Sequence, residues 1–266
     1  MPEGHAIHRA ARMQAAALGS GPVQAASPQG RFTGGARRLN GGRLASIRAV
    51  GKHLFYHWDR APILHVHLGL FGRFRMFSER PAPPPSPNAR LTMIGNAAIY
   101  LSGPTICELL DPGEMEVVTT RLGPDPLDRE ADPRRFYAAL ERRTTPIGAA
   151  LLDQGAIAGI GNIYRAELLF VTGIHPDRPA NEVTPTERSE LWARAVELLA
   201  IGERLGRIVT VDPRGVDADE HRAISKPDRL YVYHRTSEPC RRCGTPIQIW
   251  KLGARSVWAC PRCQPA

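Results

Sequence analysis

The sequence predicts an α+β multidomain chain: a leading helix, an antiparallel β-sandwich or barrel, a helical second half, and a short cysteine-rich ribbon at the end. Three observations predict it. Apolar residues recur with a period near two in the first half and near 3.6 in the second. The change of period falls at the proline-rich stretch RLGPDPLD (121–128). Four of the five cysteines crowd into the last 27 residues as C-x2-C-x16-C-x2-C.

Taken in order, residues 4–18 are alanine-rich and helical in pattern. The runs LASIRAV (44–50), HLFYHW (53–58), ILHVHLGLF (63–71), RLTMIG (90–95) and AAIYLSG (97–103) are alternating or apolar and are separated by Gly, Pro and Asn, as strands are. PAPPPSP (81–87) is a polar surface loop between two of them. Past the proline-rich stretch the segments 134–143, 146–154, 163–173 and 186–206 have helical periodicity, and short strands carry the cysteines. The expected divisions are 2–120, a linker at 121–133, a helical domain at 134–235 and the ribbon at 236–266.

Composition narrows the function classes. With 266 residues and 42% apolar content there is material for two modest domains or one large one. The 35 basic residues outnumber the 26 acidic ones, a formal charge of +9, which favours a polyanionic partner over a small acidic substrate. Only three of the basic residues are lysines, so Lys52 stands alone in the first half of an arginine-rich chain. No apolar run approaches the ~20 residues of a membrane helix, and no export signal is recognisable. The cytoplasm is the expected location, with no membrane partner.

Cys240, Cys243, Cys260 and Cys263 form two C-x2-C knuckles. In a reducing compartment such knuckles place four thiolates around one Zn2+, whereas disulfides would suit a secreted protein, which nothing else suggests. Four thiolates close the coordination shell, so the zinc is structural. Cys107 stands apart and is expected to be a buried small hydrophobe.

Two segments carry chemistry. In DQGAIAGIGNIYRAELL (153–169), Gly155, Gly159 and Gly161 permit a tight double turn between helices, and Asn162 stands where an N-cap would open the second. The N–H groups of such a helix start can bind phosphate, although helix packing alone explains the glycines equally well. At the N-terminus, removal of Met1 would leave the secondary amine of Pro2 beside the carboxylate of Glu3, a nucleophile next to an acid/base. The local sequence fits a simple helix start too.

Together, PEGH (2–5), GKHLF (51–55), HLGLFG (67–72), RLGPDPL (121–127), LLDQ (151–154), AGIGNIYRAELL (158–169) and RSVWACPRCQ (255–264) resemble, end to end and in order, the family of formamidopyrimidine-DNA glycosylase and endonuclease VIII. PEG and RLGPD look closer to the endonuclease VIII branch. The resemblance implies an N-terminal catalytic β-sandwich, a helix-two-turn-helix DNA-binding domain and a zinc ribbon, with damaged DNA held between the halves. It implies a bifunctional glycosylase/AP lyase that removes oxidised bases, pyrimidines in preference, and cuts the strand by β,δ-elimination. The alternatives are an 8-oxoguanine/formamidopyrimidine glycosylase or a non-catalytic binder of damaged DNA. A monomer associated with the nucleoid is expected.

By the same resemblance, Pro2 is the nucleophile, Glu3 the acid/base, Lys52 the proton donor in β-elimination, and Arg255 the arginine that grips phosphates and assists δ-elimination. His67, Arg121 and Asn162 match DNA-contacting positions. Gly69, Leu70 and Phe71 fall at the loop that fills the gap left by an extruded nucleotide, although a Leu-Phe pair is more often core. Gly69 matches the formamidopyrimidine branch where endonuclease VIII has glutamine. His65 and His67 share a strand face, a metal pair without a third ligand. His5 and Ala6 depart from the usual proline and glutamate, and the polar loop 211–230 lies where the formamidopyrimidine branch closes over 8-oxoguanine.

Overall fold

The computed structural model describes residues 2–60, 62–79, 81–211 and 224–266. They form two compact units, the first ending at Arg121 and the second beginning at Leu122.

The first unit opens with α1 (Gly4–Leu18), which buries Ile7, Ala11, Gln14 and Leu18, a 4-3-4 spacing that lines one helix face. After β1 (Gln24–Ala26) and the short α2 (Thr33–Leu39) come β2 (Leu44–Val50), β3 (His53–Trp58), β4 (Ile63–His67), β5 (Arg73–Phe77), β6 (Ala89–Ile94), β7 (Ala98–Ser102) and β8 (Ile106–Leu110). Among the described residues they make two antiparallel four-stranded sheets, ordered β1-β6-β7-β5 and β2-β3-β4-β8. Leu54, Tyr56, Leu64 and Val66 of one sheet meet Leu91, Met93, Ile99 and Leu101 of the other, with Ile7, Ala11 and Leu18 of α1, in a single core. Of the two expected arrangements, this is the sandwich. Buried Tyr56 donates its hydroxyl to the Gln14 carbonyl oxygen (2.6 Å), so this polar pair beside the core is satisfied internally. Cys107 packs against this core, and burial pushes its thiol up to about 12.

The outer face of the second sheet is covered differently. α3 (Pro112–Thr120) starts at a capping box in which Asp111 and Glu114 each accept the other's backbone N–H. It lays Met115 over Phe55, Ile63 and Leu110. The remainder of that face, toward His53 and His67, is polar.

The run expected as one strand over 63–71 stops at His67. Leu68–Gly72 turn back, and Gly69 has φ +64. A Cβ there would lie 1.9 Å from the Thr105 hydroxyl, so glycine is dictated by both conformation and contact.

The second unit contains α4 (Pro133–Glu141), α5 (Ile147–Ala150), α6 (Asn162–Val171) and α7 (Pro185–Leu205), then a ribbon of β9 (Gln248–Leu252) paired with β10 (Arg255–Ala259). Residues 122–126 are buried in it, with the Gly123 N–H donating to the Gln154 carbonyl (2.8 Å). Phe136, Leu140, Ile147, Tyr164, Leu168, Leu191 and Leu199 form one core. Ala166 and Phe170 enter a second with Tyr231, Ile247, Trp258 and Cys260, so α6 joins the helices to the ribbon.

α5 is shorter than the 146–154 expected for it, because Gln154 organises a turn. Its amide donates to the carbonyls of Leu152 and Ile160 (3.0 Å each) and accepts from the Gly159 N–H (3.1 Å). The N-cap of α6 is Gly161 and not Asn162, which is the first helical residue. Of the expected loop 211–230, residues 212–223 lie outside the described residues. On either side of them the Thr210 N–H donates to the Arg229 carbonyl (2.9 Å).

Candidate functional site

In the first unit, Pro2 is half-buried and Glu3 is fully buried at the mouth of α1. The Glu3 carbonyl takes the first helical hydrogen bond, from Ala6 (2.9 Å), while its side chain makes no capping bond. A carboxylate at the positive end of a helix is favoured there electrostatically without serving as its cap. His5, the second residue of α1, is buried, and that burial lowers its pKa to about 4, so it is neutral at pH 7.

Lys52 sits half-buried in the turn between β2 and β3. The register pairs His53 with His67, Phe55 with His65, and His65 with Glu108, which puts all of them on the outer face of the sheet. His65 is 1% exposed; its Nδ1 lies 2.9 Å from the Glu108 carboxylate and its Nε2 2.8 Å from Nδ1 of His53. Both ring nitrogens are therefore engaged, and His65 cannot pair with His67 on a metal. Burial is the main cause that lowers the pKa values of His53 (to about 3), His65 and His67. The Gly69 N–H donates to Nδ1 of His67 (3.1 Å), tying that imidazole to the following turn.

That turn carries Leu70, 51% exposed, and Phe71, 82% exposed. The pair is not core. A leucine and a phenylalanine held out together by a rigid turn are a ready apolar contact for a flat partner. Arg121, at the C-cap of α3, is exposed.

In the second unit, Asn162 and Arg165 face β10. Arg165 is completely buried, and its guanidinium donates to Asn162 Oδ1 (2.5 Å) and to the Ser256 carbonyl (2.5 Å), while Asn162 Nδ2 donates to that same carbonyl (3.3 Å). The helix start and the ribbon hairpin are thus held together at the residue next to Arg255, which is exposed. Sequence reasoning missed Arg165 as it missed His53 and Glu108. Arg165 is the i+3 neighbour of Asn162 on α6, which was a readable signal; Glu108 pairs with His65 only through strand register.

The sulfur atoms of Cys240, Cys243, Cys260 and Cys263 all lie within 4.8 Å of one another, the only such group of metal ligands among the described residues. The Cys240–Cys263 and Cys243–Cys260 separations are 3.9 and 3.5 Å, close to the ~3.8 Å edge of a tetrahedron with ~2.3 Å Zn–S bonds. The Arg242 and Cys263 N–H groups point at Cys240 and Cys260 sulfurs (3.4 and 3.5 Å), which suits thiolates. The donor set fits one structural zinc.

Comparison with known proteins agrees with this geometry. Residues 1–105 match the formamidopyrimidine-DNA glycosylase N-terminal domain, 122–212 its H2TH domain, and 237–266 the zinc finger found in FPG and IleRS. The chain belongs to the formamidopyrimidine-DNA glycosylase/endonuclease VIII family. It is 44% identical to Endonuclease 8 1 of Mycobacterium tuberculosis over 99% of this chain and 100% of that protein. It is 34% identical to formamidopyrimidine-DNA glycosylase of Thermomicrobium roseum over 86% of this chain and 84% of the relative. Among solved structures, Lactococcus lactis Fpg in complex with DNA containing an abasic site aligns with TM-score 0.79 and 25% identity, covering 99% of this chain and 100% of the other. The same protein bound to DNA with an oxidised pyrimidine aligns with TM-score 0.80 and 26% identity over the whole of both chains. Membership makes this chain a DNA-repair enzyme, a zinc-finger DNA glycosylase that acts on damaged bases. Among the described residues no helix is long and apolar enough to cross a membrane.

Proposed function

We propose that this glycosylase is bifunctional, excising oxidised bases, pyrimidines in preference, and then cleaving the strand by β,δ-elimination. The observation that carries the reading is Glu3, fully buried beside Pro2 at the start of α1 and not used as the helix cap. With Met1 removed, the Pro2 amine attacks C1′ of the damaged nucleotide as the bond from C1′ to the base breaks and the base departs, and it gives up its one N–H proton as the sugar ring opens, which leaves the nitrogen as an iminium. The positive end of α1 favours the neutral, nucleophilic amine. Glu3 protonates the opening sugar and later serves as base.

The remaining roles follow from what each group offers. Lys52 donates a proton in β-elimination. Arg255 grips phosphate and assists δ-elimination, while His67 contacts phosphate and Arg121 and Asn162 contact the DNA. Leu70 and Phe71 enter the gap left by the extruded nucleotide, and their exposure supports this. Catalysis belongs to residues 2–120, DNA gripping to 134–235 and the ribbon to 236–266, joined through 121–133. The enzyme acts as a monomer in the cytoplasm, on the nucleoid.

Pyrimidine preference rests on the end-to-end likeness to an endonuclease 8. Gly69 favours a second reading, an 8-oxoguanine/formamidopyrimidine specificity, because φ +64 and the Thr105 contact exclude the branch's usual glutamine without a shift of the loop. Borohydride trapping on abasic-site DNA tests the mechanism: a covalent adduct that is lost in Pro2→Gly is expected, and binding without trapping would leave only a binder. Single-lesion duplexes scored for excision decide between pyrimidines and 8-oxoguanine.

A further inference from the structure

A cavity of about 270 Å³ lies wholly within the second unit, between α4, the segment that begins at Gly123 and the turn that follows α5. Three arginines line it, Arg135, Arg142 and Arg143, and no acidic side chain does. The roles assigned above use none of them. Arg135 and Arg142, the latter at the C-cap of α4, are seven residues apart and so share one face of that helix. Ala138 and Ala139 stand between them and are too small to fill the space.

The walls are fixed by their own hydrogen bonds. The Gly123 N–H donates to the Gln154 carbonyl (2.8 Å) and the Ala158 N–H to the Pro124 carbonyl (3.1 Å). A Cβ on Gly123 would lie 2.5 Å from the Ala156 carbonyl, so the two backbones meet with no room for a side chain. Arg135 donates to the Leu122 carbonyl (3.1 Å), and Arg143 donates to the Ala139 carbonyl (2.5 Å) and the Asp153 carboxylate (2.6 Å). A guanidinium has five N–H donors, so both are anchored with donors to spare. Arg142 is exposed, and among the described residues its side chain has no hydrogen bond or ion pair. Arg143 alone of the three is paired with a carboxylate among the described residues. Guanidiniums gathered round a hollow repel one another, a cost that a bound anion removes.

We propose that this cavity is a phosphate site in which Arg135, Arg142 and Arg143 take one backbone phosphate of duplex DNA, a hold on the duplex in addition to the start of α6. The inference deepens the DNA-gripping role proposed above for this unit. A tetrahedral oxyanion suits the planar forks of arginine, which can donate to it two bonds at a time. DNA is the favoured source because the enzyme's substrate is itself a polyphosphate. The cavity wall also runs on into the start of α6 through the turn that Gln154 braces. No covalent bond changes.

The test measures the affinity of the full-length zinc-bound enzyme for a tetrahydrofuran-containing duplex across a salt series. Arg142→Ala, at a position where folding is not at risk, should bind about tenfold more weakly and lower the slope of log K against log salt by about one. Arg142→Lys should recover the slope. Ala138→Leu, which fills the cavity without changing charge, should weaken binding as well. Arg134→Ala removes an exposed arginine of the same helix that lies outside the cavity, and it should change neither affinity nor slope. Equal losses in Arg134→Ala, or undiminished affinity in Ala138→Leu, would mean that net charge and not the cavity carries the effect, and would overturn the proposal. A rise in Tm with inorganic phosphate that Arg142→Ala abolishes, with duplex affinity unchanged, would overturn the assignment to DNA in favour of a free anion. If Asn162→Ala weakens binding and Arg142→Ala does not, the cavity assignment is wrong and the gripping role of the unit stands. If neither weakens it, that role falls and this inference falls with it.

Discussion

Glu167 offers a test of how the second unit is held together. Its fully buried carboxylate on α6 accepts from the backbone N–H groups of Tyr231 (2.7 Å), Val232 (2.9 Å) and Tyr233 (2.8 Å), and from the Thr210 hydroxyl. One side chain thereby fixes the turn that leads into the zinc ribbon. Glu167→Gln keeps the shape but turns an NH2 toward two of these donors. With the amide oxygen facing Val232 and Tyr233, the Thr210 hydroxyl can rotate to the Arg229 carbonyl, 3.3 Å away, whereas the Tyr231 N–H is left without an acceptor. An orphaned buried donor costs ~1–3 kcal/mol, and the two bonds that survive lose charge assistance worth ~1 kcal/mol each. The total is about 3–5 kcal/mol, or roughly 10 °C in Tm for a unit of this size. Calorimetry of the zinc-loaded protein measures it. A Tm within about 2 °C of the parent protein would refute the reasoning and show that the three amides find other partners without cost.

Three further outcomes are expected. Cys243→Ser should lose zinc and duplex affinity while the first unit stays folded; metal analysis and DNA binding check this, and full activity without zinc would refute it. Glu3→Gln should lose ~10²–10⁴-fold in excision of an intact oxidised pyrimidine yet still trap and nick abasic DNA, whereas Pro2→Gly should fail on both; equal losses of Glu3→Gln on the two substrates would remove its proposed role. Acid should weaken the first unit. Unfolded, His53 and His5 bind protons near their ordinary 6.5; folded, they resist until about 3 and about 4. Their stabilisation is therefore complete above pH 6.5 and drains away as pH falls toward those values, and a urea series in which His53→Gln flattens the acid limb would show it.

Much of this was legible in the sequence because single periodicities sufficed. α1 was read to its final bounds because it buries one regular face, and β2 and β3 likewise, as apolar runs closed off by Gly51 and Asp59. The cysteine spacing alone specified the zinc cluster. α2 was not read: it contains Gly34 and Gly35 and forms because Ala36 and Leu39 are buried by the sandwich, so tertiary contact overrode propensity. β5, RFRMF, has arginines on its exposed face, and β1 is too short to show alternation. Asn162 was misplaced by one position because the Gly161–Asn162 pair admits either residue as cap, and the choice depends on Arg165 and Ser256, the latter 91 residues away from Arg165. Pairings between strands, such as Glu108 with His65, are set by register, and local sequence does not encode register.

α6 has seven consecutive buried residues, Tyr164–Phe170. Tyr164, Leu168 and Leu169 belong to the core of the helices, and Ala166 and Phe170 to the core beneath the zinc ribbon. A helix shared by two cores has no face on which substitutions are neutral, so over evolutionary time its drift is confined to near-isosteric exchanges. Loss of the cysteines in a descendant would strip the metal from above Phe170 and Trp258, and such a lineage would have to replace the ribbon's apolar filling before α6 could tolerate the change. The order in which this unit can evolve is therefore constrained: packing first, metal second.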